Sequence, residues 1–237
     1  MTRTKGVILL IVEGFSDETI FANLKKTYSD YNITFINIRG DIFGDINSNA
    51  NIKNRIIFKI KEQIQQRKLK KTDIIGVLQV IDLDGCMIKS ENVVIDNNIS
   101  KNIYYENEFI KVNNCNQKKF VEDKNKLKNY ELQKVCTFDH IATYKYQIYY
   151  FSRAMEHVIF DEPNPEDNTK VKEIDKFMET LTLAIEDFLS DYLPPVQSDI
   201  YSCKYEESWK YTFENNNSLH RCSNVSLLFE FIKTLVE

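Results

Sequence analysis

Three strand-like segments, separated by segments with helical periodicity, constrain the fold of this chain most strongly. Residues 6–12 (GVILLIV) and 74–81 (IIGVLQVI) are continuous apolar runs rich in β-branched side chains, typical of strands buried on both faces. Residues 33–38 (ITFINI) fit a further strand between them, and Ile56 and Ile60 repeat at helical spacing. The resulting strand–helix–strand–helix–strand order predicts right-handed crossovers and an α/β fold with a parallel sheet flanked by helices.

The second half of the chain carries weaker patterns. Residues 144–151 (YKYQIYYF) are predicted to form a fourth strand. We predict an α/β core over residues 1–160 and a mostly helical C-terminal extension over residues 161–237, packed on the core. The other predicted elements are short strands within 92–96 and 108–112, and helices over 16–28 with Ser16 as N-cap, 53–71, 118–135, from Ser152 onward, 170–190 and 223–236.

Acidic residues follow two of the predicted strands directly. The segment Glu-Gly-Phe-Ser-Asp begins at Glu13 and ends at Asp17, and the segment Asp-Leu-Asp-Gly begins at Asp82 and includes Asp84. Ligand sites in parallel sheets form at the carboxyl ends of strands. If the first and third strands are neighbours, these four acids converge on one edge of the sheet.

Clustered carboxylates repel one another unless a cation compensates, and hard oxygen ligands suit Mg²⁺ or Mn²⁺. The pattern therefore predicts a site for one of these ions. Each segment also has a purely structural interpretation. Asp17 lies in the first turn of a helix, where the helix dipole favours acids, and Asp-Leu-Asp-Gly is an ordinary polar turn.

An apolar strand that ends in Glu-Gly, followed later by one that ends in Asp-x-Asp, resembles TOPRIM, the topoisomerase–primase catalytic domain. The resemblance covers about residues 6–90. It implies a Rossmann-like core with a parallel sheet and a Mg²⁺ site that acts on phosphodiester bonds. By position, Glu13, Asp82 and Asp84 would be the catalytic and metal-binding residues.

The Glu13-x-x-x-Asp17 spacing is similar to that of a stand-alone type, the TOPRIM domain of the overcoming-lysogenisation-defect nucleases. There the second acid, here Asp17, also holds metal. A later Ser-x-x-x-Glu element of these proteins is similar to Ser152–Glu156, which implies Glu156 as a further metal ligand and Arg153 as a phosphate contact. Glu156 can equally be a first-turn helix acid. The resemblance implies a metal-dependent nuclease with a role in phage defence.

Two other functions remain open. VIDLDGCMI resembles the motif of haloacid-dehalogenase-like phosphatases, in which Asp82 would be the nucleophile. That family normally opens with this motif, however, and here the motif lies in the middle of the α/β pattern. The third interpretation is a TOPRIM-shaped module that binds a nucleotide or a partner protein without catalysis.

The distribution of charge suggests where partners bind. The net charge is −4, which argues against a protein that coats nucleic acid, but residues 53–71 carry eight Lys or Arg against one Glu. This basic helix is either a nucleic-acid contact or a solvated face. The acidic stretch 156–191 would suit a partner protein or a homo-oligomer. Arg221, before the last helix, is a second candidate phosphate contact beside a plain helix-cap loop.

Composition argues against other classes of site. The five cysteines include no C-x-x-C pair, so we predict neither a disulfide framework nor structural zinc. The sequence has no run of about 18 apolar residues, the length that a membrane span needs. The first apolar stretch ends at Glu13 without a cleavage site. We therefore expect a cytoplasmic protein without membrane contact.

Overall fold

The computed structural model describes residues 6–166 and 170–236. Its centre is a five-stranded sheet in the order β2-β1-β3-β8-β7, in which the first four strands run parallel and β7 pairs antiparallel with β8. The strands are β1 (Gly6–Val12), β2 (Ile33–Arg39), β3 (Ile74–Asp82), β4 (Val93–Ile95), β5 (Ile103–Tyr105), β6 (Ile110–Val112), β7 (His140–Ile141) and β8 (Tyr144–Phe151).

Helices flank this sheet, which confirms the predicted α/β architecture. They are α1 (Phe15–Ile20), α2 (Leu24–Thr27), α3 (Ile52–Gln66), α4 (Cys115–Val135), α5 (Met155–Phe160), α6 (Lys170–Thr180), α7 (Ile185–Ser190), α8 (Tyr201–Phe213) and α9 (Ser226–Val236). None of the described helices is both long and apolar enough to cross a membrane.

Strands β1, β3 and β8 occupy the middle of the sheet. In β1 every residue after Gly6 is buried, and in β3 Gly76 to Ile81 are buried without a break. The two strands are neighbours, with Leu10 opposite Leu78, so the expectation that their carboxyl ends share one edge is confirmed. Strand β8 has the boundaries predicted from sequence and closes the other side of β3.

Several predicted helix boundaries are wrong. The first helix is interrupted, giving α1 and α2, and Ser16 lies inside α1 because Gly14 takes the cap position. The helix predicted from Ser152 begins at Met155, because the carbonyl of Ser152 still pairs with the backbone of Gly85 in the loop after β3.

The C-terminal helices also differ from the prediction. The helix predicted over 170–190 divides into α6 and α7, and the bend places the rings of Phe177 and Phe188 5.0 Å apart. The last helix begins at Ser226 rather than at Ser223. Ser223 instead forms an antiparallel bridge with Phe151 at the end of β8.

A small sheet in the order β4-β6-β5 is inserted between β3 and α4. The predicted short strands within 92–96 and 108–112 correspond to β4 and β6, whereas β5 was not predicted. Val93, Val112 and Val121 form a second hydrophobic cluster under this sheet. The chain enters α4 after this insertion, and Lys128 of α4 contacts Asp84 in the turn after β3.

The last helices pack on the main sheet. Trp209 in α8 is buried, and its ring lies 4.8 Å from that of Tyr150 in β8. The Asn224 side chain is fully buried, accepts a hydrogen bond from the Tyr150 N–H at 2.8 Å and donates to Ser208 Oγ at 3.1 Å. The division of the chain at residue 160 stays a prediction.

Asn224→Ala is expected to lower the free energy of unfolding by about 2 kcal/mol, because the buried Tyr150 N–H would lose its acceptor. Urea unfolding followed by circular dichroism would measure the change. Asn97→Ala, at an exposed turn position, is the matched control and should change stability by less than about 0.5 kcal/mol. Equal effects of the two changes would contradict the importance of this buried amide.

Candidate functional site: an acidic cleft

A cleft of about 870 Å³ opens at the carboxyl edge of the parallel sheet. Loops after β1, β3 and β8 form its floor, and segments 100–105 and 163–166 form the opposite wall. The structure therefore brings together all five acids predicted from sequence. The predicted site residues that line the cleft are Glu13, Asp17, Asp82, Asp84, Arg153 and Glu156.

Glu13 and Asp82 lie at the floor, each at the end of its strand. Burial raises the pKa of Glu13 to about 8; the Lys128 ammonium opposes this shift, and the Asp84 carboxylate adds to it. Burial, together with the negative charges of Asp17 and Glu13, holds the pKa of Asp82 well above its ordinary range. Ionisation of both carboxyl groups is therefore disfavoured unless a further cation binds.

Asp84 has a different environment. Its backbone adopts φ +54° and that of Gly85 φ +63°, a left-handed turn fixed by a 2.9 Å hydrogen bond from the Asp84 N–H to the Arg153 carbonyl. The Asp84 carboxylate accepts hydrogen bonds from Lys128 Nζ at 2.8 Å and Lys124 Nζ at 3.2 Å. Although burial alone would raise it, these two ammonium groups hold the pKa of Asp84 below its ordinary value.

Lys128 is the functional residue that sequence reasoning missed. Its side chain is fully buried, and its Nζ also lies 3.9 Å from Glu13 Oε1. The flanking carboxylates of Asp84 and Glu13 outweigh the effect of burial and raise the lysine pKa, so the group stays charged. A signal was present in the sequence, because position 128 falls on the buried stripe of α4 that includes Leu132 and Val135.

The other two acids of the cleft lie in the first turns of short helices. Asp17 in α1 accepts a hydrogen bond from the Gly14 N–H at 2.8 Å, so its carboxylate stabilises the turn after β1. Glu156 in α5 is buried, and its negative charge contributes to the raised pKa of Asp82. Each residue is thus a first-turn helix acid, as the structural interpretation predicts, and also lines the cleft.

The two candidate arginines are occupied by other contacts. Arg153 is only 2% exposed; its guanidinium donates to the Leu219 carbonyl and, at 2.7 Å, to Asn107 Oδ1. Arg221 is not part of the cleft lining. Its Nε donates to the Val158 carbonyl at 2.9 Å, and its guanidinium stacks on Tyr192.

The cleft offers a buried carboxylate oxygen that could bind a divalent ion, but the part of the chain that the structure describes does not offer a complete set of protein ligands. Glu13 Oε1 is buried and accepts no hydrogen bond from the described residues. Within 6–166 and 170–236, however, no three His, Cys, Asp or Glu side chains are spaced to hold a metal ion. Mg²⁺ commonly uses one or two carboxylates and takes its other ligands from water and substrate phosphates. The oxygens at the floor would suit such an ion.

No protein-family model, no curated protein and no solved structure matches this chain.

The raised pKa values predict how stability depends on pH. In metal-free protein, the folded state binds protons to Glu13 and Asp82 more tightly than the unfolded state does. The free energy of unfolding should therefore fall as pH rises between the ordinary Glu13 pKa of 4.5 and its shifted value of about 8. The Glu13 contribution reaches about 1.4 kcal/mol per pH unit. The lowered pKa of Asp84 acts only below its ordinary 3.8, outside this window.

Glu13→Gln should reduce this slope, since an amide does not titrate. Urea unfolding in chelator across the same pH range would measure it. Glu91→Gln serves as control, because the Glu91 side chain is 74% exposed and should not affect the slope. A wild-type stability that stays constant across the window would contradict the prediction.

Lys128 and Lys124 both pair with Asp84, and replacing each in turn compares how much the buried and the partly exposed lysine stabilise the fold. Lys128→Met should lower the free energy of unfolding by about 3 kcal/mol, because it removes the fully buried ammonium group and leaves Asp84 with Lys124 alone and Glu13 without its neighbouring cation. Lys124, whose side chain is 29% exposed, is the matched control, and Lys124→Met should cost less than about 1 kcal/mol. Urea unfolding at neutral pH in chelator would show both changes. The assignment is wrong if the two variants lose the same stability.

Proposed function

We propose that this chain is a metal-dependent nuclease with a TOPRIM-type carboxylate site. The observation that carries the proposal is the position of Glu13, Asp82 and Asp84 at the ends of two adjacent parallel strands, in one cleft. This is the arrangement that the Glu-Gly and Asp-x-Asp resemblance implies. The parallel α/β architecture supports the proposal but does not by itself identify the family.

One or two of the carboxylates of Glu13, Asp82 and Asp84 would hold Mg²⁺ or Mn²⁺, with Asp17 and Glu156 as further candidate ligands and with water and substrate phosphate completing the shell. When bound, the ion would supply Lewis-acid polarisation of a phosphoryl oxygen and lower the pKa of a bound water. Its positive charge would also favour the ionised forms of Glu13 and Asp82, whose pKa values are raised first by burial and then by neighbouring carboxylates.

The chain's own residues contribute in three ways. Lys128 keeps Asp84 ionised inside a buried environment. Lys124, which is partly exposed, is an ammonium group beside Asp84 that can approach a substrate phosphate. Glu13, with a pKa near neutral pH, can hold or release a proton under ordinary conditions.

The phosphatase alternative uses Asp82 as the nucleophile and Asp84 as the acid/base, and it assigns no role to Glu13. Yet Glu13 and Asp84 lie on either side of the Lys128 ammonium, at 3.9 and 2.8 Å. The non-catalytic alternative would retain metal or nucleotide binding without turnover. A cytoplasmic role in phage defence, and a partner protein or second copy bound at the acidic stretch 156–191, are further parts of the proposal that rest on sequence alone.

The test is incubation of purified protein with single-stranded and double-stranded DNA and RNA, with Mg²⁺ or Mn²⁺ and with chelator. Glu13→Gln, Asp82→Asn and Asp84→Asn should each reduce cleavage by at least about 100-fold, since loss of even an outer partner of a metal site costs about 10- to 100-fold. Asp96→Asn is the control, because Asp96 also pairs with a lysine, Lys111 at 3.4 Å, but lies outside the cleft. It should cleave like the wild type.

Calorimetry with each ion separates the alternatives. Metal binding without cleavage of any nucleic acid, together with hydrolysis of a small phosphate ester, would favour the phosphatase. Metal binding without either activity would favour a binding module. Absence of metal binding, or full activity in the Asp84→Asn variant, would overturn the proposed site.

A further inference from the structure

We propose that the rim of the cleft on the β2 side is a track for single-stranded nucleic acid, with two places where unpaired bases stack. The inference rests on the proposed function and specifies the substrate class of that same site. It is carried by two exposed phenylalanines, each beside a cation, that are connected by consecutive residues at the end of β2.

The first stacking place is next to the carboxylates. Phe15 follows the Glu13-Gly14 turn directly, and its side chain is 54% exposed despite its position beside the hydrophobic sheet. The guanidinium of Arg39 lies 5.6 Å from the centroid of the Phe15 ring and forms an ion pair with Glu18 at 3.3 Å. This places an exposed aromatic face and a positive charge at the edge of the cleft.

The second stacking place is on the basic helix α3. Phe58 is 67% exposed, the largest exposed fraction among the described large hydrophobic side chains. It lines a groove of about 470 Å³ whose surface is mostly apolar, together with Lys59 and Ile42 and with the polar residues Asp41, Asp45, Asn54 and Arg55. An aromatic ring in an apolar groove with an ammonium group beside it suits a nucleobase and its phosphate.

Three consecutive residues connect the two places. Arg39 contacts the Phe15 ring, and the Lys59 ammonium lies against Gly40, where an added Cβ would be 3.3 Å from Lys59 Nζ. Asp41 lines both the acidic cleft and the Phe58 groove, so the two cavities are adjacent. A strand whose phosphate lies over the carboxylates could therefore continue along this rim.

The chemistry favours a single strand over a duplex. The faces of duplex bases are covered by their neighbours, whereas unpaired bases can stack on exposed aromatic rings regardless of sequence. Backbone phosphates would be neutralised by Arg39 and Lys59, with the exposed Lys61 of α3 as a further cation. DNA and RNA share this chemistry, so both are expected to bind.

Binding is measured in chelator, where cleavage cannot occur, by fluorescence anisotropy of labelled DNA and RNA strands of about 12 nucleotides. Phe58→Ala and Phe15→Ala should each raise Kd about tenfold, as expected for the loss of one stacked base. Phe58→Trp should retain binding. Lys59→Met should lower the salt dependence, changing the slope of log K against log salt by about 0.7.

The control is Tyr130→Ala. Tyr130 is 58% exposed, and the centroid of its ring lies 3.7 Å from Lys134 Nζ. This is a comparable aromatic–lysine pair, and Tyr130 lines neither the cleft nor the groove. It should bind like the wild type. Wild-type binding by both phenylalanine variants, equal affinity for a duplex of the same length, or an equal loss in Tyr130→Ala would overturn the track.

The outcomes for the track and for catalysis are separable. Metal-dependent cleavage with unchanged binding in the two phenylalanine variants would leave the nuclease standing without the track. Strand binding that depends on Phe15 and Phe58, without cleavage under any metal condition, would leave the track standing without the nuclease. The DNA and RNA arms show whether the 2′-hydroxyl contributes to affinity.

Discussion

The buried pair between Lys128 and Asp84 connects the parts of this molecule that matter for its site. Asp84 belongs to the turn after β3, and Lys128 belongs to α4, which follows the inserted small sheet. A fully buried ammonium group would be unfavourable without its carboxylates, and the carboxylates would repel one another without it. The orientation of α4 against the main sheet is therefore coupled to the charge balance of the cleft.

The Lys128 ammonium does not fully compensate the negative charges of the cleft. Lys128 contacts Asp84 closely, but its ammonium lies 3.9 Å from Glu13, and Asp82 accepts a 3.1 Å hydrogen bond from the Met155 N–H. Two partly buried carboxyl groups thus have raised pKa values. Arrangements that reduce stability in the absence of a ligand are typical of sites where a cation or substrate is meant to bind.

The sequence predicted those parts of the fold that depend on local pattern. The central strands were evident from continuous apolar runs, and the convergence of Glu13, Asp82 and Asp84 follows once β1 and β3 are neighbours in a parallel sheet. Strand β5 has only three residues and lacks a comparable run, so its pairing with β6 depends on tertiary contact.

The parts that sequence did not predict depend on how distant segments pack. Lys128 is one of many lysines on α4, and its burial depends on the angle at which that helix meets the sheet. Arg153 has the residue type of a phosphate contact, but its contacts with Asn107 and Leu219 become visible only when the insertion and the C-terminal segment are in place.

The sheet order also has a consequence for folding on the ribosome. Strand β3 lies between β1 and β8, yet β8 is synthesised only after the small sheet and α4. Until it emerges, one edge of β3, which is buried from Gly76 to Ile81, is unpaired, and closing this long-range contact is entropically slow. Because the residues after β8 also form part of the cleft floor, the nascent chain completes its sheet and its acidic cleft in the same late event.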